Sequence, residues 1–410
     1  MTREHDRSSL HEPSSLRVLQ VQSASRTPGG ADAVMDLEAE LLAAAGHRVE
    51  RYTYPAVAEQ AGLRTAAEVV WNPQAAHEVG RATKAFGADI VHVHSPYPRL
   101  SPAVFAAATR AGAATVTTMH NYRFACPVAT LTYRDRPCEA CVGKRVKLPA
   151  VRRSCYHDSA AKSAAMTASL ALHSTVGSFT RHLHRSLVFT EFAREIFVRE
   201  GLPAERVGVQ PNTVADPGEP AKRSGGFGGA LFVGRLVPEK GVLTLLEAAA
   251  GLPDVPVAIA GDGPLRPQVE AAAARHPWIR YHGWQDEAGL APLFAAADLL
   301  VVPSSWYEGQ PLVMLQAMAA GLPLVTTDLA NLVETAGIPQ TGRTFALGDP
   351  LDLRAQLRSA SQDISGLRVM GGAARQRYLA RHTPAQASAG LTGHYRAALA
   401  AAAISGGKHA

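Results

Sequence analysis

The chain has 410 residues, 47% hydrophobic and 19% charged, which is enough for two domains with full cores. Its 41 basic and 35 acidic residues leave a net charge of +6, a mildly basic balance that suits anionic small molecules or a membrane surface. There is no basic run or aromatic-basic repeat, so no nucleic-acid partner is expected, and no apolar window has the length of a membrane span.

Residues 1–15 are polar, with no apolar core segment, and read as a loose tail and not a signal peptide. The four cysteines are then expected in the reducing cytoplasm, without structural disulfides. Arg17 to Gln22 reads as the first strand. Gly29-Gly30 follow, then a helix from about Ala31 to Ala45 and a strand over His47 to Tyr52. The stretch to Lys84 carries little pattern. Asp89 to His94 is the next strand, with His92 and His94 on one face because the strand period is two. Both read as hydrogen-bonded structural histidines before catalysts. A helix around Pro102 to Ala111 and a strand from Ala114 to Met119 place His120 at a strand tip.

Residues 122–157 interrupt this alternation. They carry all the cysteines, Cys126, Cys138, Cys141 and Cys155, spaced C-x11-C-x2-C-x13-C. A C-x2-C pair chelates metals, and four thiolates complete a tetrahedral zinc site; an iron–sulfur cluster takes the same ligands, and unlinked free thiols are the plain alternative. Arg134, Arg136, Lys144, Arg145, Lys147, Arg152 and Arg153 face only Asp135 and Glu139 in the same loop. Such a loop suits an anionic acceptor or a lipid surface, which would place the protein peripherally at the inner membrane face; a solvated loop is the alternative.

Ala160 to His184 reads as one long helix. Strand, helix and strand follow over Ser186 to Thr190, Glu191 to Glu200 and Val207 to Gln210, closing a first domain over 16–214. Residues 215–229, rich in Pro, Gly and charge, read as a linker. Their glycines precede a strand, the wrong context for a dinucleotide fingerprint. A second domain over 230–374 repeats the alternation. Its strands are Ala230 to Val233, Val255 to Ala260 and Ile279 to His282. Its helices are Val242 to Ala250, Leu265 to Arg275 and Glu287 to Ala296. Residues 375–410 are expected to form a closing helix.

The densest signal is 297–325. Asp298 to Val302 has the length of a buried strand, stopped by Pro303 and two serines. Pro311 to Ala320 reads as a helix, with Pro311 in its first turn and Gly321 at its left-handed cap. Glu308 and Gly309 thus lie between a strand's carboxyl end and a helix N-terminus. Such helix ends suit phosphate, and open parallel sheets bind ligands there. A carboxylate at that place serves hydroxyls better than phosphates, so a ligand with both a phosphate and a polyol is implied.

This stretch resembles the signature of family 4 glycosyltransferases: a Glu, seven residues, a second Glu and an Ala-Met-Ala-x-Gly-x-Pro tail. Glu308 matches the first Glu and Ala317 to Pro323 the tail, but Gln316 stands where the second Glu is expected. The resemblance implies a GT-B fold, an α/β architecture of two Rossmann-like doubly wound domains facing across a cleft. It implies transfer of a sugar, with retention, from a nucleotide diphosphate sugar (UDP or GDP) to an acceptor hydroxyl held by the first domain. It places Glu308, Gly309, Gln310, Pro311, Leu312 and Val313 at the donor and Gln316 at its ribose. Arg235 and Lys240 match the family's Gly-Arg-x4-Lys-Gly loop, whose cations grip the diphosphate. Gly30 falls in the family's Gly-Gly loop. His120 matches the family His near the donor sugar, where it could assist proton movement. No Asp-x-Asp occurs, so no divalent metal is expected at the diphosphate. The last helix is expected to cross back onto the first domain. A sugar epimerase or phosphorylase of the same fold, and a transferase-like binding protein, are the rival readings.

Overall fold

The computed structural model describes residues 15–24, 30–55, 63–97, 99–219 and 226–406. Most of the expected tail, Gly29 and residues 220–225 of the expected linker lie outside these. In the first half the strands are β1 (Arg17–Ser23), β2 (Arg48–Tyr54), β3 (Ile90–His94), β4 (Ala114–Thr118), β5 (Thr132–Tyr133), β6 (Arg136–Pro137), β7 (Arg185–Val188) and β8 (Val207–Val209). The helices are α1 (Gly30–Ala44), α2 (Leu63–Val70), α3 (Pro73–Phe86), α4 (Ala103–Arg110), α5 (Leu148–Arg152), α6 (Ala160–Val176), α7 (Ser178–Arg181) and α8 (Glu191–Arg199). The second half has β9 (Ala230–Val233), β10 (Val257–Ala260), β11 (Ile279–Tyr281), β12 (Leu299–Val302), β13 (Leu324–Thr327) and β14 (Gly342–Phe345). With them go α9 (Val242–Ala250), α10 (Arg266–Arg275), α11 (Glu287–Ala296), α12 (Leu312–Ala319), α13 (Ala330–Ala336), α14 (Pro350–Gln362), α15 (Ile364–Arg381) and α16 (Pro384–Gly406).

Two six-stranded sheets result, ordered β2-β1-β3-β4-β7-β8 and β11-β10-β9-β12-β13-β14, with β5 and β6 forming a separate antiparallel hairpin. The pairs within both large sheets are parallel. Parallel strands are covered by helices on both faces, which is why β3 and β12 are buried along their whole length. The second sheet reverses direction between β9 and β12, and the first between β1 and β3. These are the switch points where such sheets open a crevice for ligands.

Three expectations need correction. The described residues from Leu63 to Lys84 are mostly helical: Asn72 Oδ1 accepts from Ala75 N at 2.9 Å and Pro73 takes the first helical position of α3. The long helix after Ala160 ends at Gly177, whose φ of 69° lets its N–H bond the His173 carbonyl, and α7 starts afresh. The closing helix is two helices. Ala374 and Tyr378 of α15 are buried in the second half's core, while Leu391, Tyr395 and Ala398 of α16 are buried against β1, β3 and β4. The crossing therefore falls at 382–384, where the Thr213 hydroxyl donates to the His382 carbonyl at 2.6 Å and ties the two interdomain passages together.

Candidate active site

Two loops at the second switch point carry the matched residues. Gly241, with φ of 72°, caps α9 where any Cβ would run into the Pro303 carbonyl, so only glycine lets the two loops approach. Ser305 N donates to the Glu239 carbonyl at 2.9 Å and stitches them together. That contact brings Lys240 onto Glu308.

Glu308 is only 6% exposed and both carboxylate oxygens are engaged. One pairs with Lys240 Nζ and the other accepts from Ser304 Oγ. Its carbonyl accepts from Asn331 Nδ2 at 2.6 Å and from the Tyr122 hydroxyl at 3.4 Å, reaching across from the first half. Arg235 is exposed, and its guanidinium makes no hydrogen bond or ion pair among the described residues. The cap of α12 is Pro311, which has no side chain to offer, so the first N–H groups of that helix are available to a ligand. One fixed ion pair, one uncommitted cation and one uncapped helix end therefore follow the carboxyl ends of β9 and β12 at the switch point.

The first half supplies His120, just past β4. Its carbonyl would lie 3.3 Å from a Cβ at Gly309, so the two halves touch there and residue 309 has little room for a side chain. His120 as a residue is partly exposed, and its ring centroid lies 5.5 Å from that of Phe189. Burial lowers its pKa to about 4, while Asp32 opposes this, so the ring is neutral at pH 7.

A second interdomain contact was not legible in the sequence. Glu334 on α13 accepts from Glu191 N at 2.7 Å and Phe192 N at 2.9 Å, capping α8 from the opposite half. A carboxylate on a helix N-terminus contributes about 1 kcal/mol. Glu334→Ala is therefore expected to favour an open arrangement, read as a larger radius of gyration by small-angle scattering with little loss of melting temperature. An unchanged radius would deny the clamp its role.

The structure does not gather every matched residue. The Gln310 side chain faces the hinge, where its Oε1 accepts from Asn212 N at 2.6 Å. Gln316 is half-buried and opens on a groove of about 300 Å³ between α11 and α12, lined also by Ala215, Pro217, Leu290 and Phe294. None of Arg235, Lys240 and Glu308 lines that groove. Gly30 begins α1, and the loop before it lies outside the described residues. Ser304, Asn331 and Tyr122 hold Glu308 yet carried no motif; Ser304 was visible only as a strand stop.

The four cysteines are reduced and stay within the insertion. Burial first, then the neighbouring Cys126 and Cys138 thiols, pushes Cys141 up to about 11 and also raises Cys155. Arg153 donates to Cys138 Sγ at 3.2 Å. Ala129, Leu131, Arg134, Asp135, Ser154, His157 and Asp158 all have φ between 50° and 73°. L-residues hold this conformation only where their surroundings force it.

Two doubly wound parallel sheets, with cations and an uncapped helix at the switch point of the second, define a GT-B protein. Residues 29–213 match the family model described as glycosyl transferase 4-like domain, and residues 229–363 match glycosyl transferases group 1. The chain belongs to the family 4 glycosyltransferases. It is 38% identical over 154 residues to a glycogen synthase of Mycobacterium tuberculosis, a match covering 36% of this chain and 37% of that one. It is 29% identical over 216 residues to a phosphatidyl-myo-inositol mannosyltransferase of the same organism, covering 49% and 54%. These matches span about a third to a half of the curated relatives' length. The structure of HepE from Anabaena in complex with UDP is similar at a TM-score of 0.64 and 16% identity, covering 92% of this chain and 98% of that one. At that identity the likeness is one of fold.

Proposed function

We propose that the protein transfers a sugar, with retention, from a nucleotide diphosphate sugar to an acceptor hydroxyl. The observation that carries this is the Lys240–Glu308 pair at the switch point, beside Arg235 and the uncapped α12. When the sugar–oxygen bond breaks, negative charge accumulates on the leaving diphosphate. Arg235, Lys240 and the helix N-terminus neutralise it without reorganising. Lys240 exchanges Glu308 for phosphate, and Glu308, still held by Ser304, turns to the sugar hydroxyls. His120 meets the sugar from the first domain. No divalent metal is needed at the diphosphate. A ribose role for Gln316, with one acceptor and two donors, rests on the resemblance alone, since its groove between α11 and α12 holds none of the diphosphate grips.

The acceptor belongs to the first domain. Val146 and Leu148 are 55% and 44% exposed beside Lys144 and Arg145 in the insertion, which favours an acceptor presented at an anionic membrane surface on the cytoplasmic side. Among the described residues no helix is long and apolar enough to cross a membrane. A structural zinc at the cysteines rests on their spacing alone: among the described residues no three of their sulfurs lie within 4.8 Å of one another, so a metal would have to draw them together.

A thermal-shift screen of nucleotide sugars tests the reading. The matching donor raises the melting temperature with or without EDTA, because a ligand that binds only the folded state stabilises it. Stabilisation by no member of the panel would contradict it.

A further inference from the structure

Gln20 and His92 in the middle of β1 and β3, and His94 and Thr118 at the carboxyl ends of β3 and β4, share the face covered by α1 and α16. A polar group inside a parallel sheet costs stability unless it is bonded, so the bonds here are informative. His92 is satisfied at both ring nitrogens, by the Tyr395 hydroxyl at 2.9 Å and Thr118 Oγ1 at 2.8 Å. His94 is not. Its Nδ1 meets His120 Nε2 at 3.0 Å, while its Nε2 lies 3.4 Å from Glu38 Oε2. Both of those last atoms are buried, and neither makes a hydrogen bond, their mutual 3.4 Å approach included. One ligand atom each of Glu38, His92 and His94 lies within 4.8 Å of the other two, close enough to suggest a cation site, but both His92 nitrogens are spoken for, which leaves only two ligands.

We infer that Glu38, His94 and His120 form a proton relay, with Glu38 and His94 as positioning residues that set which tautomer His120 shows to the cleft. This rests on the placement of His120 at the donor sugar proposed above. With Glu38 protonated, its O–H donates to His94 Nε2, His94 Nδ1–H donates to His120 Nε2, and His120 presents Nδ1–H to the cleft. With Glu38 ionised, His94 Nε2–H donates to the carboxylate, His120 Nε2–H donates to His94 Nδ1, and His120 presents a bare Nδ1. The two states differ by one proton. A proton given up at His120 Nδ1 is replaced by a one-step shift along both bonds, and the negative charge is left on Glu38.

The charge states fit. Burial raises Glu38 to about 8, so it is neutral at pH 7 and ionises above that value. Burial lowers His94 and, to about 4, His120, so both rings are neutral over the same range. The other titratable groups facing the relay are Asp32 on α1, His92 on β3 and His394 and Tyr395 on α16. A crevice of about 20 Å³ lined by Glu38, Gln210 and Leu391 gives the carboxyl a route for exchanging its proton.

The test is the tautomer of His120, read from the nitrogen chemical shifts of histidine-labelled full-length protein across pH. In the wild type, protonation moves from Nδ1 to Nε2 as pH rises through about 8. Glu38→Gln, whose amide donates as the neutral acid does, keeps Nδ1–H throughout. His94→Phe uncouples His120 from pH while the fold, read by the remaining signals, persists. Turnover is a separate readout: loss of rate above the same pH in the wild type, abolished in Glu38→Gln. A His120 tautomer with the same pH response in the wild type and Glu38→Gln would overturn the relay. So would His94 signals that move on adding zinc ions. A silent His120→Ala would instead remove the donor-site role of His120, which the tautomer measurement does not use.

Discussion

Arg235→Ala is expected to lower turnover by roughly two to three decades, the usual result of removing one group that stabilises transition-state charge, while leaving the melting temperature unchanged. The guanidinium is exposed and holds nothing in the ligand-free protein, so its loss costs the fold nothing. Lys240→Ala is expected to lose as much turnover and also to destabilise the protein. Glu308 is buried, and without Lys240 its carboxylate keeps only Ser304. A buried charge stripped of its partner costs several kcal/mol when fully desolvated, and less here because Lys240 is 20% exposed. The two variants thus separate catalysis from folding. Full activity in both would remove the diphosphate from this loop.

Purified protein is expected to carry about one zinc per chain, and Cys138→Ser to unfold the insertion. The insertion joins the first half's core through Phe124, Leu131 and Val142 and pairs Lys147 with Glu200, but its regular structure is short: one hairpin of two-residue strands and one five-residue helix, with six left-handed residues. The damage should stay in the first half, so nucleotide affinity falls little while the melting transition broadens or splits. Metal-free protein with the wild-type transition would leave the cysteines as thiols, and an iron–sulfur absorbance would change the metal while keeping the ligands.

The parallel sheets could be read from the chain because their strands are buried on both faces, so that Ile90 to Val93 and Leu299 to Val302 stand out in any order of reading. The loop carrying Glu308 could be read because a strand, a proline, a short loop and a capped helix follow one another locally. The misses have physical causes. Asn72-Pro73 is a helix start, but α3 behind it is mostly alanine and polar residues and has little apolar pattern. Gly177 is a left-handed cap inside an otherwise unbroken alanine-rich run. Gln310 and Glu334 look like surface residues; their partners at Asn212 and Glu191 lie 98 and 143 positions away and exist only once the halves meet. Glu38 looks like the polar face of a helix, and only the fold lays it on His94. His92 and His94 are both buried and hydrogen-bonded, as their place on the strand implies; what the sequence hides is that the partner of His94 is His120.

The most direct test is release of nucleoside diphosphate from a panel of nucleotide sugars, in EDTA, with and without hydroxyl acceptors that include an anionic lipid. The account predicts one donor that turns over only when acceptor is present, yielding nucleoside diphosphate and glycosylated acceptor in equal amounts. A donor converted without acceptor, or one bound tightly and never cleaved with any acceptor, would contradict it.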